Sequence, residues 1–481
     1  MTKHLDIDTK AMRAKILDLA IQGKLTDQRE EDGNARDLLK EIQAEKEKLI
    51  KEKKIKKGKP LPEIEADEIP FEIPKNWMWA RWGTLSISIK YGYNTSAQKD
   101  GKIKMVRISD IQNNQVNWDS VPFCNIPKEE ITQYLLRKND ILFARTGGTV
   151  GKSYLVSEVP ENVVYAGYLI RTRYSEKLSP QYLKYFMESD LYWSQLKKGT
   201  TTTAQPNCNA KTLGKMVLPL PPLAEQKRIA DKVATLFAQL DAIDKAYEEY
   251  RELQQTMKAK LLDLAVQGKL TDQREEDGNA RDLLKEIQAE KEKLIKEKQI
   301  KKEKPLPEIT EEEKTFDIPE NWMWVRLGEM ILNHIGGGTP DKSNEAYWNG
   351  DIPWMSVKDV HQDSMYADRT IDSITPAGLE NSSSNLIEAN RLIVVMRMAV
   401  GRAVINKLPV AINQDLRALF FRDNVTQEYI LRIFKILKFE TSGMTVKGIK
   451  LWVLLNTPIP LPPLAEQKRI VAKLDELLPL L

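Results

Sequence analysis

The most regular apolar pattern of the chain follows the double proline at positions 221 and 222. Apolar residues recur there at intervals of three and four, at Ile229, Val233, Leu236, Leu240, Ile243, Tyr247, Tyr250, Leu253, Met257, Leu261 and Leu264. This spacing is typical of a helix that packs lengthwise against a second helix. Proline suits a first helical turn and Gly268 suits a C-terminal cap. The pattern therefore predicts one helix over residues 223–267, roughly 65 Å long.

Two blocks of sequence occur twice in the chain. Residues 11–59 return as residues 256–304 with six differences in 49 positions, and residues 219–229 return as residues 460–470. The stretches between these blocks are similar in length but largely different in sequence. A chain of this kind contains two equivalent scaffolds that carry two non-equivalent segments.

The repeats also predict how the long helix is partnered. Residues 464–481 reproduce residues 223–240, and residues 11–24 reproduce residues 256–269. Joined tail to head, the two ends of the chain rebuild a second copy of the central helix, which we expect to pair with it as a long antiparallel two-helix coiled coil. The predicted molecule is pseudo-two-fold, a circularly permuted repeat. A duplication whose copies never touch is the alternative, and Leu481 is expected to be a permuted natural end or a truncation.

A charged helix is predicted after each repeat, over about residues 34–57 and 279–302. A solvated helix face explains its lysine-rich end better than phosphate binding does. Each variable segment then opens with Ile-Pro-x-Asn-Trp-Met-Trp, beginning at Ile73 and Ile318. We interpret these tryptophans as the start of a domain core rather than as a platform for stacked bases.

The two variable segments share one plan despite their different sequences. A short alternating strand leads into a polar-Asp-aliphatic step at residues 102–111 and again at residues 351–360. A second, hydrophobic strand then delivers an arginine to a loop, Arg145 in the first segment and Arg397 in the second. One α+β domain fold with two different surfaces fits this plan.

The same plan continues beyond these arginines. A glycine followed by a basic residue, Lys152 or Arg402, leads into the next strand of each segment. Capped helices are predicted to begin at Ser179 and Thr426. Each variable segment therefore combines strands with short helices.

Two glycine-rich stretches suggest contact with phosphate. The stretch 147–153 is one residue short of the phosphate-binding loop of nucleotide-hydrolysing enzymes, so we do not expect a nucleotide there. A hairpin whose Arg145, Thr146 and Lys152 reach a nucleic acid is one interpretation, and an ordinary glycine turn is the other. Residues 336–340 could bring backbone amides to a phosphate or could form a plain linker turn.

Charge distinguishes the two variable segments. Residues 84–218 contain 18 Lys and Arg against 11 Asp and Glu, whereas residues 329–459 contain 14 of each. The whole chain has a formal charge of only +4, which by itself indicates no polyanionic partner. Only the first variable segment is clearly basic.

The sequence does not indicate a metal site, a disulfide bond or a catalytic site. Cys124 and Cys208 lie far apart without metal-ligand spacing, and His4, His334 and His361 form no cluster with them. Neither segment shows a Ser/His/Asp order or paired carboxylates, so catalysis by this chain alone is not expected. The first ten residues contain no apolar signal and no apolar run reaches membrane-spanning length, so a soluble protein of the reducing cytoplasm is expected.

Two variable segments that each end in (L/I)P(L/I)PPLAEQKRI, separated by helical repeats with LDLA(I/V)QGKLTDQ, resemble the specificity (S, HsdS) subunit of type I restriction-modification systems. The resemblance covers essentially the whole chain. It implies an α+β fold in which two globular α/β target recognition domains are held apart by the coiled coil. Each domain would read one half of a split, asymmetric DNA sequence.

The resemblance also implies partners and cofactors. The coiled coil would dock two modification (methyltransferase) subunits that bind S-adenosylmethionine and methylate adenine, and two restriction subunits would supply ATP-driven translocation and cleavage. We find no S-adenosylmethionine glycine motif and no (Asn/Asp)-Pro-Pro-(Tyr/Phe) tetrapeptide in the sequence. The chain is therefore expected to bind double-stranded DNA but neither cofactor, and to be a non-catalytic subunit.

The expected domains follow the repeats. Residues 1–59 are the N-terminal half of the conserved helical repeat, residues 60–218 target recognition domain 1, residues 219–304 the central conserved helical region, residues 305–459 target recognition domain 2, and residues 460–481 the distal conserved helix. A specificity module for a fused methyltransferase-nuclease and a coiled-coil adaptor that binds proteins are the alternative functions.

The resemblance to the family suggests DNA-binding residues at the ends of the predicted strands. Arginine and lysine at the strand ends are the candidates for reading guanine edges, and asparagine or glutamine for adenine. The candidates are Arg107, Ser109, Arg145, Thr146 and Lys152 in the first domain, and Ser356, Lys358, Arg397 and Arg402 in the second.

Overall fold

A computed structural model of the chain describes residues 7–200, 206–362, 364–437, 439 and 447–481. The chain divides into two compact units, of which the first ends at Tyr247 and the second begins at Glu248. His4, considered above as a metal ligand, lies outside the described residues. The domain boundaries expected from the sequence remain a prediction.

The first unit contains both helices and strands. Its helices are α1 (Thr9–Ile21), α2 (Ala35–Lys51), α3 (Trp82–Leu85), α4 (Lys128–Tyr134), α5 (Pro180–Phe186), α6 (Asp190–Gly199), α7 (Ala210–Lys215) and the first part of α8 (Leu223–Val266). Its strands are β1 (Met78–Arg81), β2 (Ser86–Tyr91), β3 (Ile103–Val106), β4 (Ile111–Gln112), β5 (Gln115–Val116), β6 (Phe123–Cys124), β7 (Ile141–Ala144), β8 (Ser153–Leu155), β9 (Val163–Tyr165), β10 (Leu169–Tyr174) and β11 (Val217–Leu220).

These strands form several small sheets. One sheet has the order β2-β10-β7-β8, a second has the order β6-β3-β9, and β1 pairs with β11. Strand β7 is buried along its whole length, and the core beneath it contains Trp82, Tyr182 and Phe186. The β1–β11 pair joins the start of the variable segment to the proline-rich block that ends it, with Trp79 opposite Pro219.

The second unit repeats this arrangement. Its helices are α9 (Ala280–Lys296), α10 (Leu327–Met330), α11 (Pro376–Glu380), α12 (Asn424–Phe434), α13 (Leu451–Asn456) and α14 (Leu464–Leu477), besides the last part of α8. Its strands are β12 (Met323–Arg326), β13 (Asn333–Gly336), β14 (Trp348–Met355), β15 (Tyr366–Ala367), β16 (Asp372–Ile374), β17 (Asn385–Ile387), β18 (Leu392–Val395), β19 (Ala403–Asn406), β20 (Val410–Ile412), β21 (Leu416–Phe420) and β22 (Pro458–Leu461). The sheet orders are β13-β21-β18-β19-β15, β16-β14-β20-β17 and β12-β22.

The long helix predicted from the apolar spacing is confirmed as α8. It contains 44 residues and ends before Gly268, which has φ +69°. A Cβ at this glycine would lie 2.5 Å from Cγ of Pro319, so glycine is required by both the turn and the close approach. The amide of Lys269 donates to the carbonyl of Leu264 at 2.9 Å and closes the helix end.

In the first unit, α1 runs antiparallel to α8. The hydroxyl of Thr9 donates to Asp244 at 2.7 Å, and Arg13 pairs with Asp241 at 2.7 Å. After α1, Thr26 donates to Glu225 at 3.2 Å. Partner numbers fall as residue numbers rise, which is the antiparallel pairing predicted for the N-terminal segment.

In the second unit, α14 runs antiparallel to the other part of α8. Thr271, which follows α8, donates to Glu466 at 3.2 Å, and the Gln254 side chain donates to the carbonyl of Leu481. Here again the partner numbers fall along the chain. The pairing predicted for the C-terminal segment is therefore present within this unit.

A buried tryptophan–glutamate contact holds each variable segment to its helix. Trp77 Nε1 donates to Glu225 at 2.7 Å, and Trp322 Nε1 donates to Glu466 at the same distance. Burial raises the pKa of both carboxyls, and the hydrogen bonds they accept partly offset this shift. The prediction that these tryptophans begin the domain core is confirmed for Trp77 and Trp322, which are buried.

Three element predictions were wrong in detail. Helix α2 ends at Lys51 rather than about Lys57, because Lys53 has φ +54° and the amide of Lys54 donates back to Leu49. Helix α9 ends in the same way at Lys296 rather than about Lys302, because Lys298 has φ +57°. Helix α12 begins before Thr426, because Asp423 caps it by accepting a hydrogen bond from the amide of Thr426 at 2.7 Å.

Candidate nucleic-acid interface

The ends of several strands bring one set of loops together in the first unit. Strand β10 begins where β2 and β7 end, and β8 begins where β7 ends. In the neighbouring sheet, β3 and β9 run parallel and end side by side. The loops that follow these ends, residues 92–98, 107–110, 145–152 and 166–168, therefore lie at one edge, which we call the first loop edge. All five candidates of the first segment fall on it: Arg107, Ser109, Arg145, Thr146 and Lys152.

Arg107 is held by a neighbouring carboxylate. Its Nε and Nη2 donate to Asp110 at 3.1 and 2.7 Å, and its backbone amide donates to the same side chain at 2.8 Å. Asp110 raises the pKa of the Arg107 guanidinium, and 41% of the arginine side chain remains exposed. Ser109 is exposed on the same short turn. A polyanion would reach both side chains from solvent, but it would compete with Asp110 for the arginine.

Arg145 is preorganised by stacking. Its guanidinium carbon lies 4.6 Å from the centroid of the Tyr91 ring, and its Nε is buried without a hydrogen-bond acceptor among the described residues. Its backbone amide donates to Tyr168 at 3.1 Å, and its carbonyl accepts from Cys208 at 2.9 Å. Stacking of this kind holds a guanidinium flat while its edge remains able to donate.

Thr146 and Lys152 lie on either side of a tight turn. Thr146 pairs with Asn207 as an isolated bridge, and Lys152 is exposed. Gly147 and Gly151 have φ +74° and +92°, and a Cβ at Gly151 would lie 2.1 Å from a methyl of Leu196. Turn geometry and packing therefore account for these glycines without a bound phosphate.

The second unit forms an equivalent edge. Strand β21 begins where β13 and β18 end, β19 begins where β18 ends, and the parallel strands β14 and β20 end side by side. Residues 337–339, 356–359, 396–402 and 413–415 follow these ends and form the second loop edge. The four candidates of the second segment fall on it: Ser356, Lys358, Arg397 and Arg402.

A groove of about 430 Å³ opens on the second loop edge. Its lining mixes aromatic, basic, acidic and amide side chains, and includes Thr339, Lys342, Trp348, Trp354, Ser356, Lys358, Asp372, Met398, Asn413, Gln414 and Asp415. Such a surface offers hydrogen-bond donors and acceptors beside apolar groups. This combination can read the edges of base pairs.

Ser356 and Lys358 differ in their availability. The Ser356 hydroxyl lies 3.2 Å from Asp359 and accepts the amide of Lys358 at 3.4 Å, while its side chain is 7% exposed. This serine caps a short 3-10 helix over Val357–Asp359. Lys358 is exposed beside the groove, so the lysine is the freer contact of the two.

Arg397 and Arg402 lie on the loop between β18 and β19. Arg397 is half exposed, and its Nε lies 3.3 Å from a carboxylate oxygen of Asp415. Arg402 donates to the carbonyl of Val360 at 3.5 Å, a long hydrogen bond to the turn that follows β14. Arg397 therefore lies beside the groove, against its lining residue Asp415, and Arg402 is tied to the neighbouring turn.

The structure corrects the equivalence drawn between Arg145 and Arg397. The amide of Arg145 donates to Tyr168, whereas in the second unit the amide of Met396 donates to Asp415 at 2.7 Å. The next residue in each loop forms an isolated bridge, Thr146 with Asn207 and Arg397 with Gly448. Arg145 therefore corresponds to Met396, and Arg397 corresponds to Thr146. The sequence comparison matched the two arginines and was wrong by one position, because Arg145 is the first residue after β7 whereas Arg397 is the second residue after β18.

Residues 89–250 and 319–479 match the family model described as the type I restriction modification DNA specificity domain. The chain belongs to this family. The two matches include every residue of both loop edges. The family model thus recognises both units of the chain.

Curated relatives share this specificity-subunit character over nearly the whole chain. The specificity subunit of the type I restriction enzyme EcoEI of Escherichia coli is 27% identical, over 97% of this chain and 88% of the relative. The EcoAI specificity subunit of Escherichia coli is also 27% identical, over 98% of this chain and 89% of the relative.

Two solved structures show the same fold. A chain from a study of complex assembly and conformational transition of the type I R-M system has a TM-score of 0.54 at 24% identity, covering 85% of this chain and 91% of that chain. The HsdS subunit of Thermoanaerobacter tengcongensis has a TM-score of 0.51 at 21% identity, covering 85% and 90%. The predicted α+β fold class of a DNA specificity subunit is confirmed.

Some residues of this DNA specificity domain were missed by the sequence analysis. Tyr168 is 62% exposed on the first loop edge, and Met398 is 58% exposed on the second. Gln414 also lines the groove, where it approaches the Thr339 hydroxyl. Tyr168 follows a glycine between two buried strands, a pattern that could have marked it as an exposed loop residue. Nothing in the sequence alone brings Gln414 and Thr339 together.

No group of three or more His, Cys, Asp and Glu side chains in the described ranges could hold a metal ion. Within that same part of the chain, no helix is both long and apolar enough to cross a bilayer.

Proposed function

We propose that this chain is the specificity subunit of a type I restriction-modification system, and that its two loop edges read the two halves of a bipartite, asymmetric DNA target. The observation that carries this proposal is the repetition of one scaffold beneath two different edges. The contacts of Trp77 with Glu225 recur as those of Trp322 with Glu466. The loops that these scaffolds support have different residues, so the two edges would read different sequences.

The nine candidate residues are proposed as the DNA contacts. Exposed Lys152 and Lys358 suit phosphates, whereas Arg145, stacked on Tyr91, and half-exposed Arg397 suit base edges. Ser356 would act through the turn that it caps, since its hydroxyl is engaged there. The remaining candidates are Arg107, Ser109, Thr146 and Arg402. Family membership and position on the loop edges support this assignment.

The partners are proposed from the same membership. Two modification subunits would bind S-adenosylmethionine and methylate adenine, and two restriction subunits would consume ATP. This chain would be the non-catalytic member that directs them to the target. Such a complex would act in the cytoplasm, where the DNA of a bacterial or archaeal cell lies.

A domain exchange tests the proposal. The chain is co-expressed with a type I modification subunit that co-purifies with it, and single-molecule methylome sequencing identifies the methylated target. Replacing residues 60–218 with the corresponding segment of a relative should change one half-site only, because the second loop edge is untouched. The matched exchange of residues 305–459 should change the other half-site only.

Two outcomes would contradict the proposal. Methylation that is absent with the natural chain, although the two proteins co-purify, would favour a protein-binding adaptor. Exchange of one segment that alters both half-sites would show that the two edges do not read independently.

A further inference from the structure

Met398 adopts a backbone conformation that methionine rarely takes. Its φ is +70°, and the amide of Ala399 donates to the carbonyl of Arg397 at 2.9 Å. A hydrogen bond from residue i+2 to residue i around a positive φ defines the strained form of the γ-turn. The turn is held from outside, because the amide of Met398 donates to Lys447 at 2.9 Å and Arg397 bridges to Gly448.

The choice of methionine at this position is unusual for the chain. Among the described residues, nine non-glycine positions have positive φ, of which six are asparagine and two are lysine. Met398 is the one apolar residue in this described set. The equivalent position of the first unit is Gly147, with φ +74°, where the same conformation carries no strain. The second unit therefore has a methionine at a position where glycine would remove the backbone strain.

The retained side chain is presented to solvent rather than to the core. Met398 is 58% exposed and lines the groove of the second loop edge. It follows Arg397 in sequence and shares the groove with Lys358, Gln414 and Asp415. An exposed apolar side chain held in a strained turn among hydrogen-bonding groups is typical of a binding site, because strain persists where function requires it.

We propose that Met398 is an apolar base contact of the second loop edge, which packs against the 5-methyl group of a thymine in the major groove. The inference rests on the proposed function. Asp372 lines the same groove, where Asp415 is already paired with Arg397. The acceptors that dominate the minor groove would repel Asp372, whereas adenine and cytosine offer amino donors in the major groove. Thymine is the base whose major-groove edge carries an apolar group.

Thymine-to-uracil replacement tests the contact directly. The target is first defined by methylome sequencing, and the chain in complex with its methyltransferase is titrated with labelled duplexes in which each thymine of the second half-site is replaced by uracil. One replacement should weaken binding by the natural protein about four-fold, the loss of one buried methyl group. Met398→Gly and Met398→Asn, which both tolerate positive φ, should bind thymine and uracil duplexes equally.

Controls separate this inference from folding and from the proposed function. Met257→Ala removes another half-exposed methionine of the same unit and should keep the discrimination. The melting temperature of Met398→Gly should equal or exceed that of the natural protein, because the turn is relieved.

The inference is overturned if the second half-site contains no A·T pair, if no uracil replacement matters, or if the Met398 variants still discriminate. Weaker binding by the variants without any uracil effect would instead indicate a wedge between base pairs. Failure of the natural complex to prefer any duplex would contradict the proposed function rather than this contact alone.

Discussion

Single residues decide what each loop edge presents. Arg145 is flat against Tyr91 with its backbone fixed on both sides, whereas its counterpart in the second unit is Met396. Arg397 takes the place of Thr146 and points its charge towards Asp415. The second arginine therefore stands one position farther from its strand end and has a different environment. Equivalent strand ends that carry different loop residues allow one fold to read different bases.

Replacement of Arg145 by alanine should impair recognition of one half-site. If the stacked guanidinium reads a base edge, affinity for the target should fall by about 1–3 kcal/mol, while affinity for unrelated duplex changes little. Fluorescence anisotropy with the target, with duplexes altered in each half-site, and with random duplex measures both quantities. Arg145→Lys, which keeps the charge but not the planar stack, should recover little of the specific binding.

The matching variant of the second edge is Arg397→Ala, which should affect the other half-site. An equal loss of binding to target and random DNA after Arg145→Ala would show that this arginine contacts only phosphate. A lowered melting temperature would assign the loss to the packing of Tyr91 instead.

The elements differ in how well they could be predicted from the sequence. Helix α8 could be predicted within a residue or two because its apolar spacing, its preceding prolines and Gly268 are local signals. The loop edges could not be assembled, because the order β2-β10-β7-β8 joins strands that are distant in sequence. The end of α2 was also misplaced, since the left-handed turn at Lys53 has no glycine to mark it.

A partly buried Arg–Asp ion pair in each unit allows a matched test of element stability. Arg228 donates to Asp32 at 2.5 and 2.6 Å, and Arg469 donates to Asp277 at 2.6 Å. These hydrogen bonds lower the pKa of both aspartates from 3.8, although burial opposes the shift. The carboxylates therefore stabilise their units above pH 3.8, and this stabilisation is lost as the pH falls through the lowered pKa.

Asp32→Asn and Asp277→Asn should each reduce the free energy of unfolding at pH 7 by about 1–3 kcal/mol, the typical value of a charged hydrogen bond. Urea unfolding at pH 7 and pH 3 measures the effect, and the variants should lose less stability between the two pH values than the natural chain does. Asp37→Asn, at a side chain that is 70% exposed, is the control and should change little. Equal acid sensitivity of all four proteins would contradict the assigned role.

At the scale of the whole molecule, the internal repeat is the feature from which function follows. The same Trp–Glu, Arg–Asp and antiparallel helix contacts occur in both units, and the family match covers both. The sequence repeat predicted the antiparallel pairing of the helices but not the Trp–Glu and Arg–Asp contacts, which near-identical sequence forms at equivalent places of both units. It could not predict the bases read, since these depend on loop geometry that no repeat specifies.

Under the proposed function, the length of α8 sets the number of unread base pairs between the half-sites. Seven residues inserted after Tyr247 leave the Thr9–Asp244 and Gln254–Leu481 hydrogen bonds available to both halves of the helix. The insertion adds about 10 Å of helix, which corresponds to roughly three base pairs, and it nearly preserves the helical phase. Methylome sequencing should show a longer spacer between unchanged half-sites. A control insertion of five residues turns the helix by about 140° out of phase and should abolish methylation instead.

If the seven-residue insertion altered bases within either half-site, the idea that α8 acts only as a spacer would be refuted.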